Sequence, residues 1–186
     1  MRRTDAAPAS EATPVASILL QELLDLYSEL DALYTGVSCP SSSECCRFGA
    51  TGRQPWVTSI ELALILHALS AQGRRAPRDD CGRDAPRVRG RVRARLPLHR
   101  SDAEQRCPLL DHDARCSIYA SRPFGCRTFY CDQKAGDLPS RARIRGLLHR
   151  LQELALRHQP GGDQGRSLLR ALGSAACRAN PRRTHT

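Results

Sequence analysis

The sequence predicts a mainly α-helical fold: a small helical domain with a short β-hairpin and irregular cysteine-rich loops. Apolar residues recur at spacings of three and four in four segments, a pattern typical of amphipathic helices. Seven of the nine cysteines fall in two clusters between these segments, at residues 39–46 and 107–131. With 186 residues the chain is long enough for one domain with a hydrophobic core, but not for two large ones.

The N-terminal tail, residues 1–13, is rich in Ala, Pro and Thr and is predicted to be disordered. Thr13 and Pro14 then form a favourable helix start, with Thr13 as the N-cap and Pro14 in the first helical position. The apolar positions of this first helix are Val15, Ile18, Leu19, Leu23, Leu26, Leu30 and Leu33. Gly36 is expected to end it.

A second helix is predicted to begin at the capping box Thr58-x-x-Glu61 and to end at Gly73. Its apolar positions are Ile60, Leu62, Leu64, Ile65, Leu66 and Leu69. His67 lies among them and is interpreted as a histidine at the edge of the core rather than a ligand.

Residues 74–86 are polar and are predicted to form an exposed linker, in which the isolated Cys81 is not expected to be a ligand. Residues 87–96 then alternate strictly, which predicts a β-strand with one wet face. The arginines on that face are Arg87, Arg89, Arg91, Arg93 and Arg95. They could bind nucleic acid or an acidic protein. No aromatic residue is interleaved for base stacking, so we favour a solvated edge strand protected by its charge.

Two further helices are predicted after the second cysteine cluster. Ser140 caps the first of them, and the Pro-Gly-Gly run at 160–162 ends it. The apolar positions of the two helices are Ile144, Leu147, Leu148, Leu151, Leu154, Ala155, Leu168, Leu169 and Leu172. Cys177 is interpreted as a small core residue. The sequence thus predicts a single domain over residues 14–179, followed by a frayed C-terminus at 180–186.

The net charge of +10 is carried by 28 arginines and one lysine, Lys134. So uneven a ratio indicates GC-rich coding as much as selection for phosphate binding, so the charge is weak support for an acidic protein or peptide partner, or for nucleic acid. Met1-Arg2-Arg3 precedes no apolar segment, and no run approaches the ~20 apolar residues of a membrane span. We therefore expect a cytoplasmic protein with no membrane partner, in a compartment where thiols stay reduced.

The two cysteine clusters supply seven thiols, and clustered thiols in a reducing compartment are typical of a zinc site or an iron–sulfur cluster. The predicted metal ligands are Cys39, Cys45, Cys46, Cys107, Cys116, Cys126 and Cys131. A hairpin over 107–119 would bring Cys107 and Cys116 together, whereas an extended backbone would point the vicinal Cys45 and Cys46 to opposite faces. One tetrahedral zinc needs four ligands, so three arrangements stay open: a four-cysteine site with spare thiols, two metals, or a multinuclear cluster.

Several arginines lie close to the cysteines in the sequence. A zinc ion or an iron–sulfur cluster held by four thiolates keeps a net negative charge. Arg47, Arg122 and Arg127 are predicted to lower the thiol pKa values and to offset this charge. His112 is expected at an exposed hairpin tip, and His99 is a further candidate nitrogen ligand. No Ser–His–Asp order, Gly-rich phosphate loop or His-Glu-x-x-His signature is present, so no catalytic residue is identified.

The segment CPLLDHDARCSIYASRPFGCR resembles the core signature of the YkgJ-type cysteine-cluster proteins, the CxxCxxCC family of zinc- or iron-chelating domains. The residues that match are Cys107, Pro108, Leu110, Cys116, Ser117, Ile118, Tyr119, Arg122, Pro123, Cys126 and Arg127. The upstream Cys-x-x-Cys-x-x-Cys-Cys motif of the family appears here as Cys39-x-x-Ser42-x-x-Cys45-Cys46, with Ser42 in place of one cysteine. The resemblance covers residues 39–131 and implies bound zinc or iron.

These observations predict a metal-binding protein with a cysteine-ligated zinc, iron or iron–sulfur centre, whose role is structural or accessory to redox chemistry. Two alternatives stay open. One is an iron-dependent metalloenzyme that modifies a peptide or a small molecule. The other, which we do not favour, is a zinc-stabilised nucleic-acid-binding module that uses the arginine strand at residues 87–95.

Overall fold

The computed structural model describes residues 14–34, 43–77, 106–129, 138–163 and 165–178. Its elements in chain order are α1 (Pro14–Ala32), a 3₁₀ turn (Glu44–Cys46), α2 (Phe48–Thr51), β1 (Trp56–Val57), α3 (Ser59–Ala71), a second 3₁₀ turn (Tyr119–Ser121), α4 (Phe124–Arg127), α5 (Arg141–His158), β2 (Arg166–Ser167) and α6 (Leu168–Arg178). The predicted mainly α-helical fold is confirmed. None of the helices in the described ranges is long and apolar enough to cross a membrane.

Several predictions fall outside the described residues. They concern the tail at 1–13, the arginine strand at 87–96 and the C-terminus at 180–186. Three cysteines, Cys39, Cys81 and Cys131, also lie outside. The single domain over residues 14–179 therefore stays a prediction.

Helices α1, α3 and α5 pack around a first hydrophobic core. Its buried residues are Leu19, Leu23, Leu26, Tyr27, Leu30, Tyr34, Ile60, Leu64, Phe124, Leu147, Leu151, Leu154 and Ala155. Two exposed ion pairs follow the seam between α1 and α5, Arg150 with Glu29 at 2.5 Å and Arg157 with Glu22 at 2.6 Å. Their order shows that the two helices run antiparallel. Exposed ion pairs contribute little to the free energy of folding. The contact between α1 and α5 is therefore stabilised mainly by burial of the apolar residues.

Helix α3 carries apolar residues on more than one face, as expected for a helix that packs between two layers, while His67 and Ser70 are exposed. Ile60 and Leu64 join the first core, while Leu62, Ile65 and Leu69 join a second one. The other buried residues of this second core come from the cysteine segments, β1 and α6: Cys46, Phe48, Val57, Cys107, Leu109, Ile118, Leu168, Ala171 and Leu172. Helix α3 therefore separates a helical layer from a layer that carries the cysteines, which we call the cysteine layer.

Helices α3 and α5 begin where the sequence predicts. The Glu61 carboxylate accepts the backbone N–H of Thr58 at 2.8 Å, which completes the capping box. The Ser140 hydroxyl accepts the N–H of Arg143 at 3.4 Å at the start of α5. Gly73 follows the last turn of α3 in the left-handed region, at φ 67°.

Strands β1 and β2 form a two-residue antiparallel pair that joins the start of α3 to the start of α6. The register pairs Trp56 with Ser167 and Val57 with Arg166. Gly165 precedes β2 at φ +67°, and a Cβ there would lie 3.2 Å from the carbonyl oxygen of Val57. This turn therefore requires glycine.

Gly165→Ala is expected to lower the free energy of unfolding by about 1–2 kcal/mol, because an L-residue is strained in the left-handed region. Gly146 is the matched control, since it is exposed within α5 and a Cβ there would meet no heavy atom within 4 Å. Gly146→Ala is expected to raise the free energy of unfolding by about 1 kcal/mol. Urea denaturation measures both changes, and effects of the same sign would contradict this interpretation.

Candidate metal centre

Five cysteines of the described residues line one small cavity of about 50 Å³, which we call the cysteine cavity. They are Cys45, Cys46, Cys107, Cys116 and Cys126, all of them free thiols. The rest of the wall is largely apolar, with side chains that include Phe48, Leu109 and Ile118. A space of this size holds at least one water-sized group. Five of the seven predicted ligands are therefore brought together.

The vicinal Cys45 and Cys46 converge because the backbone forms a 3₁₀ turn at Glu44–Cys46. The backbone is not extended here, so the opposite orientation that an extended backbone would give these side chains does not arise. Their Sγ atoms lie 3.8 Å apart. Zinc–sulfur bonds of about 2.3 Å in tetrahedral geometry also place two sulfurs about 3.8 Å apart. The spacing of this pair suits a shared ion.

The segments that carry Cys46 and Cys107 are joined through their backbones. The Cys107 N–H donates to the Cys46 carbonyl at 2.7 Å. Beside this bond, Arg47 and Arg106 form an antiparallel bridge. Both cysteines are buried, so their thiols meet in an apolar setting.

The hairpin predicted over 107–119 is present as a tight turn with a single antiparallel bridge, between Leu110 and Cys116. The Asp111 carboxylate accepts two backbone N–H groups across this turn, at 2.8 and 3.0 Å. The turn returns Cys116 to the cavity that Cys107 also lines, as the sequence predicts.

Cys126 lies on the single turn of α4, and the buried carboxylate of Glu61 fixes where α4 begins. One oxygen of Glu61 accepts the Phe124 N–H at 2.8 Å and the Tyr27 hydroxyl at 2.9 Å. The other accepts the N–H and the hydroxyl of Thr58, at 2.8 and 2.9 Å. Burial raises the pKa of Glu61, and these donors oppose the rise because they favour the carboxylate. Glu61 thus joins α1, α3 and α4 near Cys126.

The buried guanidinium of Arg127 ties α4 to α1. It donates to the carboxylate of Asp31 and to the carbonyl oxygens of Ala120 and Arg122. Its carbon Cζ also lies 4.1 Å from the centroid of the Tyr27 ring. These contacts hold both ends of the loop before α4, and they therefore orient the turn that carries the cysteine of α4.

The three arginines predicted to offset the charge of the centre lie in different places. Arg122 lines the cysteine cavity, and its charge opposes the rise in pKa of three of the thiols. Its Cζ lies 4.1 Å from the centroid of the Tyr119 ring. Arg47 is exposed and Arg127 faces α1, and neither lines the cavity.

Burial and mutual contact favour the protonated form of these thiols. A hydrogen bond to Cys107 raises the pKa of the Cys46 thiol to about 12. The hydrogen bond to Cys46 is the largest cause of the raised pKa of Cys45, and burial is the largest cause for Cys116 and Cys126. Metals bind the thiolate, so metal binding in this cavity releases protons.

The donor chemistry of the cavity suits zinc or iron. Its five thiols are soft ligands, and no carboxylate lies on its wall among the described residues. In those same residues, no three His, Cys, Asp or Glu side chains are already arranged to hold an ion. Binding therefore requires thiol side chains to rotate toward a common centre. His112 is exposed on the turn, as predicted, and His67, which was expected at the edge of the core, is exposed as well.

Sequence reasoning missed the second role of Glu61 and the burial of Arg127. The sequence did contain an indication for Glu61. A carboxylate on a helix that packs between two apolar layers is expected to be buried, and a buried carboxylate needs hydrogen-bond donors. No comparable signal exists for Arg127, because its partner Asp31 lies 96 residues away in the chain.

Comparison with known proteins gives one family match. Residues 38–140, more than half of the chain, match the family CxxCxxCC, described as "Putative zinc- or iron-chelating domain". The matched range contains all seven cysteines that the sequence predicts as ligands. No curated protein and no solved structure gave a match.

Proposed function

Because the chain belongs to the CxxCxxCC family of zinc- or iron-chelating domains, we propose that it binds zinc or iron through the thiols of its cysteine cavity. The observation that carries this proposal is the convergence of five thiols from three separate segments on one space. The proposed ligands are Cys45, Cys46, Cys107, Cys116 and Cys126, with Cys39 and Cys131 of the same matched range as further candidates.

The proposed role of the centre is structural. The cysteine segments in the described residues contain only short turns and isolated bridges, which hold a loop weakly without a cross-link. A site closed by four thiolates supplies such a cross-link. Arg122 offsets the negative charge of the thiolates from the cavity wall, while Arg47 and Arg127 act from outside it.

A second candidate function is an iron-dependent centre, in a redox accessory or a metalloenzyme, that acts on a peptide or a small molecule. One observation favours it: Cys45 and Cys126 line both the cysteine cavity and a much larger neighbouring groove. A bound molecule in that groove would lie next to the thiols. The nucleic-acid-binding module has no such support, because the arginine strand at 87–95 lies outside the described residues.

Protein purified without oxygen is expected to contain about one equivalent of zinc or iron per chain, as four thiolate ligands are enough for one ion. Elemental analysis measures the zinc and iron content per chain, and an assay for acid-labile sulfide is carried out on the same sample. Zinc without sulfide would support the structural role. Iron with sulfide and visible charge-transfer absorbance would instead favour the second candidate. Protein that is folded and holds neither metal would contradict both.

A further inference from the structure

A groove of about 1070 Å³ lies beside the cysteine cavity. Helix α5 forms one wall, β1 and the turn before α3 form another, and the end of α4 closes it. This volume is far larger than an ion needs and exceeds most pockets for small molecules, which measure roughly 300–1,000 Å³. The groove is therefore large enough to bind a molecule of its own, and two of the proposed ligands, Cys45 and Cys126, lie on its wall.

Large apolar side chains are exposed in this groove. Trp56 is 64% exposed, Leu156 51% and Leu148 39%, and all three line it. Leu148 and Leu156 lie on the same face of α5, eight residues apart. Apolar side chains that gather in one concave place and stay in contact with water are typical of an interaction site.

One cation, Arg53, and two carboxylates, Glu61 and Asp163, line the groove. Glu61 is 1% exposed, and Asp163 has the positive charge of Arg166 nearby, so neither carboxylate strongly opposes an acidic ligand. Arg53 lies over the Phe129 ring, with its Cζ 5.3 Å from the centroid. Arg53 takes part in none of the ion pairs found among the described residues.

The face of α5 that lines the groove continues toward its N-terminus with two more cations. Arg141 and Arg145 are exposed, and they lie seven and three residues before Leu148, which places them on the same helix face. From Arg141 to Leu156 this face spans about 22 Å. An extended peptide of about seven residues covers the same distance.

We propose that this groove binds an acidic peptide segment of another protein, whose apolar side chains contact Trp56 and Leu156 and whose carboxylates pair with Arg53, Arg141 and Arg145. This inference goes beyond the proposed metal binding and does not depend on which metal is bound. Nucleic acid fits less well. Its phosphates repeat along the whole backbone and need a groove lined with cations, whereas this lining is mainly apolar and contains a single arginine.

Trp56 is the only tryptophan of the chain, so its fluorescence reports on this groove alone. The probe is an acetylated and amidated peptide of about eight residues that alternates Glu and Leu, which matches the length of the basic and apolar face. Titrated into the metal-loaded full chain, it is expected to shift the Trp56 emission saturably. Arg53→Glu is expected to weaken this binding by at least about tenfold, because it opposes the peptide charge.

Arg75→Glu is the matched control, since Arg75 is exposed and lies away from the groove, and it is expected to leave binding unchanged. If Arg53→Glu fails to fold, the double variant Arg141→Glu with Arg145→Glu takes its place. Metal content is measured in every sample, so that loss of the metal centre is distinguished from loss of peptide binding. No saturable shift at about 1 mM peptide, equal binding of a Lys–Leu peptide, or preferential binding of an oligothymidylate would overturn the proposal.

Discussion

Cys126→Ser is expected to remove the bound metal and to unfold the cysteine layer. Structural zinc contributes an apparent free energy of about 10–16 kcal/mol in small zinc domains. A whole domain is stable by only about 5–15 kcal/mol, so loss of the metal removes most of that margin. Cys107→Ser and Cys116→Ser should act in the same way, because both thiols line the same cavity. Elemental analysis and thermal unfolding by circular dichroism measure the two effects.

Cys81→Ser and Cys177→Ser are the controls, because neither residue is a predicted ligand, and both variants should keep their metal. A variant that cannot fold would lose metal for that reason alone. The unmodified chain is therefore also treated with a chelator, and its structure should be lost and then regained when zinc or iron is added. Unchanged metal content in all three variants of the cavity would rule out the proposed site.

Glu61→Ala is expected to lower the free energy of unfolding by about 3–7 kcal/mol. The substitution leaves the Tyr27 hydroxyl and the Phe124 N–H buried without an acceptor, and each such loss costs about 1–3 kcal/mol. It also removes half of the capping box with Thr58, which contributes about 1 kcal/mol. Urea denaturation measures the change. Metal affinity should fall as well, because Phe124 begins the short helix that carries Cys126.

Glu61→Gln should give an intermediate loss, since an amide has one acceptor oxygen for the two sets of donors that the carboxylate serves. Glu153→Ala is the control. Glu153 is exposed on α5, where it lies 3.4 Å from His149, and its loss should change the free energy of unfolding by less than about 0.5 kcal/mol. Equal losses for Glu61→Ala and Glu153→Ala would show that the buried hydrogen bonds of Glu61 contribute nothing.

The helices could be predicted from the sequence because their signals are local. Apolar spacing and caps depend on residues within a few turns of one another, and Ser140, Glu61 and Gly73 act as expected for this reason. The β structure was harder to predict. The pair between Trp56 and Ser167 joins residues far apart in the chain, and neither two-residue strand is long enough to show alternation.

The candidate site was predictable in its residue types and not in its geometry. The spacing of Cys107, Cys116 and Cys126 predicted candidate ligands that line one cavity in the structure, because the turn between the first two is local. The convergence of Cys45 with Cys46 depends on a 3₁₀ turn that begins after Ser43, a residue with φ 53°, and the sequence gives no clear indication of such a turn. The groove around Trp56 depends on three elements that meet only in the folded chain, so no local pattern could predict it.

Helix α3 contributes side chains to both hydrophobic cores, so neither layer has a complete interior without it. Such a shared helix is expected to make the two layers unfold together, because the loss of either layer exposes a face of α3 to water. Unfolding of the cysteine layer is then expected to unfold α1 and α5 as well. A change in the stability of the cysteine layer therefore changes the fraction of chains that are folded. If the proposed metal centre has its structural role, its occupancy is expected to set the stability of the helical layer too, although none of the candidate ligands belongs to α1, α3 or α5.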